Sequence, residues 1–176
     1  MQVVFQCEAV VFGAQLMQQE LMRQDQDDRP LFWHGVQGLV IGAGNLSKTL
    51  WGTGNAEQRK RRYAERQQLR DSLAVTDASP LRQVQIRNDY EHIDERLETW
   101  WAESAHHNIV GAMIGTREGL GGGDWFGDKD VLRWFDPTTG DLIFWGNELN
   151  VPIVVAEVQR LMPVAQAELM KPHWKS

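Results

Sequence analysis

Arg87-Asn88-Asp89-Tyr90-Glu91-His92 is the stretch that decides how this chain is read. It brings a fixed cation, an amide and an imidazole together within six consecutive positions, in a region otherwise free of histidine. The surrounding helix follows from its own signals. Ser79-Pro80 is a start: serine as N-cap, and proline at the first helical position, where its missing N–H costs nothing. Apolar residues then recur at Ile86, Tyr90, Ile93, Leu97 and Trp100/Trp101, the spacing of a single buried stripe, so a helix is expected over about 80–104. At about 100° per residue, Asn88 and His92 share one face, roughly opposite that stripe. Arg87 falls on a flank, with Glu91 one turn later as its expected ion partner. His92 therefore does not point into its own helix's core; it faces water or another surface.

With 176 residues the chain is long enough for one domain with a real core. A formal net charge of −6 argues against a general nucleic-acid coat protein. The charge is uneven, however. Residues 57–87 hold eight Lys/Arg against four acids, a local +4 that leaves −10 elsewhere. The single cysteine, Cys7, excludes an internal disulfide, and its neighbours Val3, Val10 and Val11 make it a small core hydrophobe. No secretory leader is read at the N-terminus, and no run approaches the roughly 20 apolar residues of a membrane span. A cytoplasmic protein is expected.

Outward from the organising helix, the stripe Val3, Cys7, Val10, Ala14, Met17, Leu21 predicts a first helix over about 3–26, broken by Asp27-Asp28-Arg29-Pro30. A second helix over about 31–51 presents Phe32, Val36, Leu39, Val40, Ala43, Leu46 and Leu50 on one side, its glycines allowing close approach of a neighbour. Gly52-Thr53-Gly54-Asn55 stops it, and a basic third helix is expected over about 56–73. Residues 106–118 read as a short helix or a loop, and 119–129 as a glycine-rich connection. Two aromatic and β-branched runs, 130–135 and 141–145, flank Asp136-Pro137-Thr138-Thr139-Gly140 and predict a β-hairpin. A last helix over about 152–171 passes through Pro163, expected to bend it. The division is thus a helical bundle over 1–118 and an extension over 119–176.

Several motifs fail on inspection. Gly42-Ala43-Gly44-Asn45-Leu46-Ser47-Lys48-Thr49 nearly fits a phosphate loop, but Ser47 stands where a bare glycine backbone is required. His106-His107 is adjacent, so the two imidazoles diverge on a helix, and no carboxylate or cysteine is spaced to join them on a metal; a helix C-terminus is their expected place. Neither a serine-nucleophile elbow nor an H-E-x-x-H pattern is present. No metal and no cofactor are expected.

Arg87-Asn88-x-x-x-His92 resembles the R-x4-6-H motif of the HEPN superfamily (higher eukaryotes and prokaryotes nucleotide-binding), in which a polar residue often follows the arginine. The resemblance covers about 3–101 as architecture and Arg87, Asn88 and His92 as motif. It implies an up-and-down helical bundle and a metal-independent endoribonuclease of bacterial toxin–antitoxin or antiviral defence systems. It also implies a homodimer with a composite site, and an antitoxin or other protein partner. His92 would take the proton from a ribose 2′-OH, which attacks the adjacent phosphorus, and a histidine would protonate the leaving 5′-oxygen. Imidazole suits both steps, with an ordinary pKa of about 6.5. Arg87 would stabilise the charged transition state, and Asn88 would orient His92 or donate to the phosphate. A 2′,3′-cyclic phosphate results, and DNA is spared for lack of the 2′-OH. Arg87 and His92 lie about 140° apart on a helix, so two copies facing each other serve one phosphate better than one copy does. Asp94 stands where members silenced by a nucleotidyltransferase carry tyrosine, so adenylylation there is not expected, and Tyr90 is read as core.

Arg59, Arg62, Arg66 and Arg70 recur three or four apart, either a positive ridge for RNA or a solvated face balanced by neighbouring acids. Asn45, Ser47 and Lys48 are assigned to line the site from the second helix. The competing reading is a non-catalytic module of the same kind that binds RNA, a nucleotide or a protein. A third is a structural helical protein whose Arg87 and His92 are surface residues.

Overall fold

The computed structural model describes residues 1–23, 29–82, 86–104, 107–116 and 130–172. The chain is mostly helical, with one small four-stranded sheet and a C-terminal helix. It forms two compact units, Met1–Val84 with Ile153–Ser176, and Gln85–Pro152. The strands thus share a unit with the residues around His92, whereas the boundary read from composition fell at 118/119.

In the first unit, α1 (Gln2–Met22) and α2 (Pro30–Trp51) form an antiparallel hairpin. All seven apolar residues expected on one side of α2 are buried, as are Val3, Cys7, Val10 and Met17 of α1, the helix it packs against. Glycine sets the closeness of the approach. A Cβ on Gly13 would lie 2.5 Å from the Gly35 carbonyl oxygen, and one on Gly35 would lie 2.7 Å from that of Gly13. Gly42 likewise faces Val10 and the Gln6 carbonyl. These glycines cost helix propensity and return it as backbone-to-backbone packing. The burial of Cys7 pushes its thiol up to about 11, the behaviour of an inert core hydrophobe.

The basic segment is two helices, α3 (Ala56–Glu65) and α4 (Gln67–Ser72), interrupted at Arg66, where one helix was expected. Asn55 caps α3 through the Gln58 backbone N–H while Gln58 reaches back to the Asn55 N–H, a complete capping box. Pro80–Arg82 is a 3₁₀ turn. The last helix, α7 (Val151–Leu169), runs through Pro163, and its buried face carries Val154, Val158, Leu161 and Ala165. Glu157 of α7 accepts from the buried Ser79 hydroxyl at 2.7 Å and from Arg160.

The second unit departs most from expectation. The organising helix over 80–104 is not continuous: after the 3₁₀ turn come α5 (Ile86–Glu91) and α6 (Ile93–Glu103), with His92 between them at φ −115, ψ 38. The expected hairpin exists as β2 (Arg133–Asp136) paired antiparallel with β3 (Asp141–Phe144), but it is part of a mixed sheet. β1 (Met113–Ile114) joins β2 in parallel, and β4 (Asn147–Asn150) joins β3 antiparallel, in the order β1-β2-β3-β4. Residues 107–116, left open between helix and loop, therefore include a strand. Trp145 and Gly146 both have positive φ, 52 and 77, which makes the β3–β4 connection a two-residue turn whose twist suits a hairpin. Between β2 and β3, Asp136 accepts from the Thr138 N–H and hydroxyl, which hold its carboxyl below the usual range. The glycine-rich connection over 119–129 and His106 lie outside the described residues.

Gly13→Ala is expected to destabilise the protein by about 1–3 kcal/mol through overpacking. Gly38→Ala, whose new Cβ would have its nearest neighbour at 4.0 Å, should be neutral or gain up to about 1 kcal/mol in helix propensity. Urea melts of the two variants check this. The depressed Glu157 pKa, due first to Arg160 and then to Ser79, gives stability that is present above the ordinary glutamate range. That stability is lost as pH falls through the lower folded-state value. Glu157→Gln should therefore lose stability at neutral pH and converge on wild type in acid, read by thermal melts across a pH series.

Candidate functional site

α5 and α6 lie in one unit with the sheet. Cross-strand partners put Arg133, Phe135, Leu142, Phe144, Asn147 and Leu149 on one face of the sheet. Tyr90 stacks on Phe144 of that face, with ring centroids 4.4 Å apart, so its reading as core holds. Burial pushes the Tyr90 hydroxyl up, with the Arg133 guanidinium opposing. Ile86 is buried and Ile93 half-buried, but the stripe fades along α6, where Leu97 and Trp101 are exposed.

Asp89 is the residue that sequence reasoning missed. It is only 3% exposed, and its carboxylate accepts from Arg96 Nε at 2.9 Å and from Asn147 Nδ2 at 2.7 Å. One buried charge thereby ties α5 to α6 and to β4. The seven-residue spacing to Arg96, two turns along one face, was a usable signal. Asn147 gave none, because nothing local links it to Asp89. At the far end of α6, the Trp100 indole N–H and the Ser104 hydroxyl both donate to Asp130 Oδ1, at 2.8 and 2.9 Å.

Arg87 is 7% exposed rather than standing out on a flank. Its expected partner is real: Nη2 pairs with Glu91 one turn on. Nε and Nη1 are also buried, and neither has a hydrogen-bond partner among the described residues. His92 is the opposite case. Its side chain is 54% exposed at the break between the helices, with Nδ1 at 3.3 Å from Glu95 Oε1. Asn88 is exposed too, and its carbonyl accepts from the His92 N–H at 3.0 Å. The three motif residues thus divide: Asn88 and His92 share an exposed face, while Arg87 lies beneath the surface against Glu91.

The residues assigned to bind substrate lie in the first unit. Asn45 Nδ2 donates to Gln6 Oε1 at 3.2 Å, an α1–α2 contact. Lys48 is half-buried on α2, as is Ser47, whose hydroxyl donates to the Arg82 carbonyl at 3.3 Å. α2 is helical throughout 42–49, which removes the phosphate-loop geometry. The arginine series is not one ridge. Arg59 is exposed, but Arg62 donates to the Thr53 carbonyl, and Arg66 is half-buried with Nη1 packed over Gly52. Arg70, 1% exposed, donates to the Leu50 and Tyr63 carbonyls at 2.7 and 2.8 Å and lies over the Tyr63 ring at 4.0 Å. It is a core residue. Tyr63 and the Trp51 indole both donate to Asp77, which also pairs with Arg82. These partners hold the Asp77 carboxyl below its ordinary value. His107 lies just past the end of α6, stacked on the Trp101 ring with centroids 4.3 Å apart.

Among the described residues, no helix is long and apolar enough to cross a membrane. Comparison with known proteins finds no match to this chain among family models, curated proteins or solved structures.

Asp89→Ala is expected to lower the unfolding free energy by about 3 kcal/mol, since Arg96 and Asn147 lose a charged acceptor. The exposed His92→Ala should stay within about 0.5 kcal/mol of wild type. Urea titration of both variants tests that contrast.

Proposed function

We propose that the chain is a metal-independent endoribonuclease of the HEPN type, acting in the cytoplasm in a defence or toxin–antitoxin setting. The observation that carries this reading is the exposed His92 imidazole at the α5–α6 break, with exposed Asn88 one turn before it on the same face. A general base must reach its substrate, and this ring is the motif's reachable one. His92 takes the 2′-OH proton, the 2′-oxygen attacks phosphorus, and the 5′-oxygen leaves with a proton from a second histidine. In a homodimer, the other copy's His92 supplies that proton. Arg87 provides positive charge for the pentacoordinate transition state from beneath that face. Asn88 orients the phosphate.

The burial of Arg87 and its pairing with Glu91 favour a second reading, a non-catalytic module of the same kind that binds RNA or a protein through the Asn88/His92 face. A guanidinium in that position serves the fold before it serves a phosphate.

The two readings separate in one assay. Wild-type protein with EDTA present should cut RNA, tRNA included, leaving 2′,3′-cyclic phosphate ends and sparing DNA of the same sequence. His92→Ala should cut about 10²–10⁴-fold more slowly. Arg87→Met, which keeps the buried volume, should cut poorly while melting near wild type. A folded wild type that cuts no RNA overturns the nuclease reading, and RNA binding that weakens in His92→Ala then establishes the second.

A further inference from the structure

His92 occupies the N-cap position of α6, and Glu95 is the third residue of that helix. A glutamate so placed ordinarily reaches back to the N-cap backbone N–H. Here that N–H is already used, donating to the Asn88 carbonyl at 3.0 Å. The Glu95 carboxylate meets the N-cap side chain instead, with Oε1 at 3.3 Å from the imidazole Nδ1. Among the described residues, Glu95 is the hydrogen-bond partner of this ring. A carboxylate accepts and does not donate, so the hydrogen of the contact belongs to Nδ1. A neutral imidazole carries one N–H, and with that hydrogen on Nδ1 the free lone pair is at Nε2.

We propose that Glu95 is a positioning residue for His92: it fixes the imidazole proton on Nδ1 and leaves Nε2 as the acceptor that the Asn88/His92 face offers to a ligand. The catalytic consequence rests on the nuclease reading. Nε2 of one copy takes the 2′-OH proton and its ring becomes an imidazolium. Nε2 of the other copy, starting as imidazolium, gives its proton to the 5′-oxygen and becomes neutral. The Nδ1 proton stays with Glu95 through both transfers, so one ring orientation serves base and acid alike. Both side chains are more than half exposed, at 54% and 72%, so the pair contributes little to stability. A several-fold preference between two tautomers of one ring is within the reach of such a pair. The bland role for Glu95 is negative charge at the start of α6, where a helix N-terminus favours it. Asp94 shares that role in the same first turn, which makes it the control.

Two-bond ¹H–¹⁵N NMR of the histidine side chains reads the tautomer without any substrate, at a pH well above the ordinary imidazole range. His92, assigned by the signals missing from His92→Ala, should show a protonated Nδ1 and an unprotonated Nε2. Glu95→Ala should move the tautomer ratio at least about threefold toward the Nε2–H form. Asp94→Ala should leave it unchanged. RNA cleavage is the second arm. Glu95→Ala should lower kcat by a matching factor at unchanged KM, and Asp94→Ala should not. The proposal is overturned by a wild-type ring protonated on Nε2, or by a Glu95→Ala ratio equal to wild type. A wild type that cuts no RNA sinks the nuclease reading alone, and the NMR arm still decides where the proton sits. A cleavage rate unmoved by Glu95→Ala while the tautomer shifts overturns the positioning role in catalysis.

Discussion

A carboxylate removed from water must be answered by donors, and Asp89 is answered from two directions. Arg96 reaches it from two turns along the chain, and Asn147 reaches it from a strand 58 residues away. The second unit is built around that demand. With Asp89 turned inward, Tyr90 comes down on Phe144 and Ile86 is buried alongside, so α5 is fixed in rotation against the sheet. On a helix so fixed, Asn88 is left on the water side, and His92 joins it where the helix breaks. The exposure of the imidazole, on which the nuclease proposal rests, is thus the other face of a structural commitment made by its neighbours.

Arginine in this protein shows how little a charge type says about its place. The spacing of the basic segment suggests a phosphate-binding ridge, yet Arg70 is a core residue that satisfies carbonyls at the ends of two helices. Arg62 holds the Thr53 carbonyl beside the turn that ends α2, and only some of the series faces water. Five donors on a planar fork make arginine as good a partner for backbone oxygens as for phosphate. Arg87 is the same residue type in a more ambiguous position. Its ion pair with Glu91 satisfies one nitrogen, while two others are buried without partners among the described residues. Unmet donors in a buried guanidinium are costly, so the position is held by the packing around it.

The hairpin of the first unit solves a different problem. Gly13 and Gly35 let two backbones meet where a single Cβ on either would collide, with Leu39 and Met17 packed beside the contact. Phe5 and Phe12 of α1 lie on the outward face. An apolar stripe read from sequence specifies a face. It does not say whether that face meets another part of the same chain or another molecule.

Period and punctuation alone determined the first two helices, the last helix and the β2–β3 pair. Each is a local pattern: a stripe repeating every three or four residues, a proline or glycine at the end, and an aspartate-proline turn between aromatic runs. The Arg87–Glu91 pair was legible for the same reason, since it closes within one turn. Tertiary structure alone decided the rest. β4 contributes little beyond Leu149 to a core, and its turn places Trp145 where glycine or asparagine is usual, so no local signal marked it. The break at His92 runs through an apolar stripe that continues across it. The burial of Arg87, Asp89 and Arg70 depends on which distant groups come within reach, and pairing across tens of residues leaves no mark in the periodicity of either segment.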